Sequence, residues 1–175
     1  MSSRSGAPAK KRVSNVSAKA ASGSTLLDLV LLGISAAAMA LSFPAWRLWF
    51  LLIPALALLI GVLDRVGPAR AGTYSFLWGM GFMMPQISWM QVATDNTWLA
   101  WMALAGAQAF FISLFGLSFA SMGVWSWART IWGEAVGAAL LWVTFEELRS
   151  RVPYAGFPWG KLSYTQVDSH LVAFA

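Results

Sequence analysis

Long apolar runs with almost no charge dominate this chain, and a run of that kind is stable only in lipid or in the core of a much larger protein. Positions 29–46, 71–94 and 96–128 contain no Asp, Glu, Lys or Arg. The 175 residues are 58% hydrophobic and 11% charged, more apolar surface than a soluble domain of this length can hide. Many of the eleven Trp residues lie near the ends of the apolar stretches, where an amphipathic indole rests at the headgroup level. Lipid is therefore the expected solvent.

Five apolar segments follow one another, Leu26–Phe43, Leu48–Leu63, Thr73–Val92, Trp98–Trp125 and Ile131–Leu148, each near the length of about 20 residues that a helix needs to cross hydrocarbon. The expected fold is all-α, a polytopic transmembrane helical bundle with about five spans and a sixth beginning at the C-terminus. Residues 1–25 form a basic, polar tail expected to be disordered, residues 26–148 the membrane helices, and residues 149–175 an outer aromatic loop and the start of the next helix. Pro44, the run Asp64-Arg65-Val66-Gly67-Pro68, Asp95-Asn96 and Arg129-Thr130 are the expected helix breaks.

Charge sets the expected orientation. The net +5 could suggest a nucleic-acid partner, but Arg4, Lys10, Lys11, Arg12 and Lys19 cluster in the tail with no acidic residue among them, and no basic face forms on a folded domain. No nucleic acid is expected as a partner. With the tail cytoplasmic, Arg65, Arg70 and Arg129 also fall in cytoplasmic loops, and the segment from Arg149 to Lys161 lies on the outer side. A competing reading takes Arg4 to Ala40 as a signal peptide ending in Ala38-Met39-Ala40, which leaves the later topology unchanged.

Within the helices, Gly133 with Gly137 and Gly116 with Ala120 have the spacing that lets backbones approach in lipid. Gln86 and Gln108 are expected to make structural hydrogen bonds inside the bundle, and Asp28 and Glu134 to favour helix N-termini. His170 is the single histidine and there is no cysteine, so no zinc site, disulfide or thiolate chemistry is expected, and no cofactor.

The segment after the fifth helix is different in kind. Phe145-Glu146-Glu147-Leu148-Arg149-Ser150-Arg151 leads into Gly156-Phe157-Pro158-Trp159-Gly160-Lys161 and then Ser163-Tyr164-Thr165-Gln166. Arg149 and Arg151 can cap the helix C-terminus through its dipole, with Glu146 in reach of Arg149 for an ion pair. Pro158 holds Phe157 extended, while Gly156 and Gly160 admit conformations that other residues resist. A shaped loop that pushes Phe157 and Trp159 into the interface follows from that pattern.

These residues resemble the signature that apolipoprotein N-acyltransferases carry after their fifth membrane helix: Glu147-Leu148-Arg149, then Gly156-Phe157-Pro158-Trp159, then Tyr164-Thr165-Gln166, with Ser163 where the family commonly has Gly. Leu41-Ser42-Phe43-Pro44 resembles the family's first periplasmic turn, and Trp78 to Phe82 with Ser88-Trp89 resembles its third helix. The resemblance implies a bacterial inner-membrane protein with its N-terminus cytoplasmic. Its substrates are a membrane phospholipid and a lipoprotein, and the family moves a fatty acyl chain from the first to the N-terminal S-diacylglyceryl cysteine of the second. It also implies substrate-binding roles for Glu147, Arg149, Gly156, Phe157, Pro158, Trp159, Tyr164 and Gln166.

In that family the reaction belongs to a nitrilase-like domain in which a cysteine thiolate is acylated, a glutamate is the general base and a lysine stabilises the oxyanion. None of the three can be placed here, so the expectation is a fragment, inactive alone, that offers a scaffold and no catalytic residue. The alternative from another class is a small multi-pass transporter or a non-enzymatic bundle subunit. A transporter should carry charged residues at mid-membrane or paired broken helices, and here only Gln86 and Gln108 are polar at that depth.

Overall fold

The computed structural model of the chain describes residues 25–95, 97–152, 156–167 and 169. The basic tail apart from Thr25, Asn96, residues 153–155, Asp168 and residues 170–175, with His170 and the start of a sixth span, lie outside them. Every regular element among the described residues is helical. Helix α1 is Thr25–Leu41, α2 is Leu52–Leu63 after a 3-10 turn at Trp49–Leu51, and α3 is Pro68–Gln86. A single turn, α4, spans Met90–Ala93; α5 is Trp98–Met122 and α6 is Ile131–Arg149. Two further 3-10 turns occupy Trp127–Arg129 and Leu162–Gln166.

Each of the five expected apolar segments thus overlaps one helix of 12 or more residues. Of these, α5 is long and apolar enough by itself to cross a membrane; α1 and the stretch Trp49–Leu63 are apolar but shorter. The third segment departs most from expectation. Its helix starts at Pro68, where proline at the first helical position lacks only an N–H that would be unpaired anyway, and it ends at Gln86.

Side-chain bonds fix the directions of the helices. Ser35, fully buried on α1, accepts the Trp78 indole N–H from α3 at 2.8 Å and donates to the Ala55 carbonyl of α2 at 2.6 Å. Gln86 Nε2 at the end of α3 donates to the Ala40 carbonyl near the end of α1, so α1 and α3 run parallel. Arg65 just beyond α2 pairs at 3.4 Å with Asp28 in the first turn of α1, so α2 runs antiparallel to both. Ser113 Oγ on α5 bonds the Gly72 carbonyl and Trp101 Nε1 bonds the Met84 carbonyl, which makes α5 antiparallel to α3. Gln108 with Arg149 and Met122 beside Gly137 make α6 antiparallel to α5.

The core lies between α1, α2, α3 and α5, with Met39, Leu59, Trp78, Phe82 and Phe115 at its centre. The Ala38–Ala40 stretch lies inside α1, with Met39 wholly buried. The α3–α5 contact is the most extensive in the bundle. Gly116 permits it, because a Cβ there would strike the Ser75 side chain and the Ala71 carbonyl. Gly137 similarly admits Met122, whereas Gly133 lies under the Thr130 N-cap and the Trp127 carbonyl, so it serves the helix start and not interhelical packing. Asp28 and Glu134 occupy first helical turns as expected, and Asp28 is in addition 1% exposed and ion-paired.

Candidate functional site at one end of the bundle

At one end of the bundle, the C-termini of α1, α3 and α6 meet the loop that follows α6. Arg149, the last residue of α6, is 4% exposed. Its guanidinium donates to the Trp159 carbonyl at 2.6 Å, the Gly160 carbonyl at 2.8 Å and the Gln108 side-chain oxygen at 3.1 Å, with a longer contact to the Phe157 carbonyl at 3.5 Å. A planar fork of donors suits a set of carbonyls spread around one plane, a geometry that a lysine cannot reproduce. Burial lowers the Arg149 pKa below its ordinary value, while the charges of Glu146 and Tyr164 push it back up. The guanidinium stays charged because its pKa begins so far above neutrality.

Arg149 stands in the last turn of α6, where its charge suits the helix dipole as expected, and its guanidinium in addition holds the following loop, folding the chain back over the helix end. Arg151 is the exposed partner, bonded to Glu147 at 3.2 Å. Glu146 does lie near Arg149, at 3.8 Å, and also accepts the Leu162 backbone N–H at 2.9 Å. Glu147 receives Lys161 Nζ at 2.5 Å on its other oxygen, so the two adjacent glutamates clamp both ends of the Lys161–Leu162 step. Lys161 was not singled out from sequence. Its signal is a lone basic residue shortly after the glycine-broken run, close enough in sequence to return to Glu147.

Both loop glycines have positive φ, +58° at Gly156 and +75° at Gly160, as their placement predicts. A Cβ at Gly156 would collide with the Ser150 backbone, and one at Gly160 would press on Met83 of α3. Phe157 donates its N–H to the Arg149 carbonyl at 3.0 Å and packs half-buried on the core, so it turns inward and not into the interface. Trp159 goes outward: it is 46% exposed, lies 5.7 Å from the Trp89 ring, and donates its indole N–H to the Gln86 carbonyl at 3.2 Å.

Glu147, Arg149, Gly156, Phe157, Pro158 and Trp159 therefore belong to one folded unit around the Arg149 guanidinium. Tyr164 and Gln166 lie in the 3-10 turn that follows, Tyr164 within electrostatic reach of Arg149. Tyr164 is 40% exposed, and Gln166 bonds Thr165 and Ser169 within its own turn. Gln86 and Gln108 make the structural bonds expected of them, and Gln108 joins the site as the acceptor under Arg149. No cluster of metal-ligating side chains occurs among the described residues.

Comparison with known proteins assigns the family. Residues 35–175 match the family model described as the apolipoprotein N-acyltransferase N-terminal domain. The chain is 28% identical over 155 residues to the apolipoprotein N-acyltransferase of Photobacterium profundum, covering 85% of this chain and 30% of that protein. It is 31% identical over 143 residues to that of Vibrio cholerae, covering 77% of this chain and 28% of the relative. It is 39% identical over 79 residues to that of Mycolicibacterium smegmatis, covering 44% and 13%. The chain thus spans less than a third of the length of these relatives, and it belongs to the apolipoprotein N-acyltransferase N-terminal domain family.

Proposed function

We propose that this chain is the membrane portion of an apolipoprotein N-acyltransferase, crossing a bacterial cytoplasmic membrane five times with residues 1–25 inside and the Arg149 loop on the outer face. Its task is to hold the lipid-bearing substrates, a phospholipid donor and a lipoprotein acceptor, at that face. There a nitrilase-like domain moves the acyl chain to the amino group of the acceptor's N-terminal S-diacylglyceryl cysteine. This chain contributes no nucleophile to the reaction.

The observation that carries this reading is the loop folded on buried Arg149, which leaves Trp159 and Trp89 exposed side by side at the same end as the C-termini of α1, α3 and α6. Paired indoles at a membrane surface suit the boundary between acyl chain and headgroup. Two further features support the membrane setting. Large apolar side chains face outward along the helices, among them Val30, Ile34, Ile53, Phe110, Leu140 and Val143. The charges are also divided between the two ends. Arg4, Lys10, Lys11, Arg12, Lys19, Arg65, Arg70 and Arg129 lie on the tail side against Asp28, Asp64 and Glu134, while on the other side the four basic and four acidic residues balance.

The test is a chimera in which this chain replaces the matching segment of the Vibrio cholerae relative, assayed for lipoprotein N-acylation in membranes. Acylation by the chimera, lowered about two- to tenfold in Trp159→Ala with membrane insertion unchanged, is the expected result, since one aromatic pair contact is worth about 0.5–1.5 kcal/mol. A chimera that inserts but transfers nothing overturns the function. Full activity in Trp159→Ala reduces the loop to an anchor.

A further inference from the structure

We infer that a small cavity beneath Arg149 binds one water molecule, and that Trp142 positions the outer loop through it. The cavity lies between α3, α5 and α6, with about 10 Å³ open to the centre of a water molecule, which is room for one. Phe82, Met83, Phe111, Ile112, Phe115 and Phe145 form its apolar wall, and Trp142, Glu146 and Arg149, each of which carries a polar group, complete the lining. These last three recur along one face of α6, four and seven residues from the first. The Trp142 indole N–H is buried and has no acceptor in the protein. A buried N–H is nearly always paired, and a polar-edged cavity of this size beside it supplies the partner.

A water there accepts the Trp142 N–H, donates to the Glu146 carboxylate and accepts from the Arg149 guanidinium, which meets the two to four polar partners such a molecule needs. The same two charged residues hold the loop by its backbone: Glu146 accepts the Leu162 N–H and the Arg149 carbonyl accepts the Phe157 N–H. The water therefore couples a tryptophan in the core to two loop amides. This inference is independent of the acyl-transfer reading, because it concerns only how the loop is held.

The competing arrangement sends the indole N–H onto a ring face, since Trp142 meets Phe115 at 5.0 Å and Trp78 at 6.0 Å, both nearly edge-on. Two measurements on the full chain in lipid nanodiscs separate the two. A density map that resolves ordered water is expected to show a peak within hydrogen-bond distance of Trp142 Nε1 and of Glu146 or Arg149. Hydrogen exchange at the Phe157 and Leu162 amides is expected to speed up about tenfold both in Trp142→Phe and in a variant with the benzothiophene analogue of tryptophan at position 142, which keeps the ring shape and loses the N–H. An empty cavity overturns the water site. Unchanged exchange in the benzothiophene variant overturns the positioning role, whatever Trp142→Phe does.

Discussion

Replacing Arg149 by Met leaves the Trp159 and Gly160 carbonyls and the Gln108 side-chain oxygen without their shared donor in a site that water does not reach freely. Removing one member of a buried charged network typically costs about 3–5 kcal/mol. Arg149→Met is expected to lower the unfolding free energy in detergent by that order, and Arg149→Lys to recover only part of it, because a single ammonium cannot span carbonyls that the guanidinium fork reaches in two directions. Equal stability of Arg149→Met and the parent would mean the loop is held by its glycine turns and its bonds to Glu146 and Glu147 without Arg149. Arg149 and its neighbours were legible in the sequence through the family signature and as a basic residue closing an apolar run. The direction of the side chain was not, because its acceptor Gln108 lies 41 positions away and is met only when α5 and α6 pack antiparallel. Trp159 is the same case over 73 positions: its indole reaches the Gln86 carbonyl, a contact no local pattern encodes.

At the scale of helices, the α3–α5 contact depends on one missing side chain. Gly116 faces Ser75 and the Ala71 carbonyl, and a methyl group there must push backbone apart, whereas Gly106 on the same helix has open space around its Cα. Gly116→Ala is therefore expected to destabilise the bundle by about 1–3 kcal/mol through overpacking. Gly106→Ala should be neutral or stabilise by up to about 1 kcal/mol through helix propensity. Chemical unfolding of the two variants in the same detergent checks the contrast, and equal shifts would mean that α3 and α5 are not in the contact described. Small-residue spacing in the sequence pointed to Gly116 correctly but gave the same weight to Gly133, whose role is local to the Thr130 cap. The end of α3 was missed for a related reason. Pro85 cannot donate to the preceding turn, and the carbonyls freed at the end of α3 are taken by indoles from elsewhere, Met84 by Trp101 and Gln86 by Trp159. The apolar pattern runs on to Val92 while the helix stops at Gln86, since hydrophobicity persists where hydrogen bonding has changed partner.

For the whole molecule, the alternating helix directions divide the surface into two ends, and the proposed five-span orientation makes opposite demands on them. The Asp28–Arg65 pair and the 3-10 turn at Trp127–Arg129 mark one end; the Gln86–Ala40 bond and the Arg149 loop mark the other. Because the sequence contains no cysteine, a single introduced thiol is the sole site for a maleimide, and no background substitution is needed. Asp95→Cys and Arg151→Cys sit at the Arg149 end, and Gly67→Cys and Ser126→Cys at the opposite end. In intact cells a membrane-impermeant maleimide is expected to label the first pair and to reach the second only after the membrane is broken. The excess of basic residues at the tail end sets this direction, since cytoplasmic loops retain Lys and Arg. The reversed pattern would place the Arg149 loop in the cytoplasm, away from any outer-face substrate. Labelling of all four positions in intact cells would mean that none of α3, α5 and α6, which separate one thiol from the next, crosses the membrane, and would overturn the five-span arrangement. The positions at the two ends thus test orientation and span number together, because each added crossing exchanges the side on which every later thiol appears.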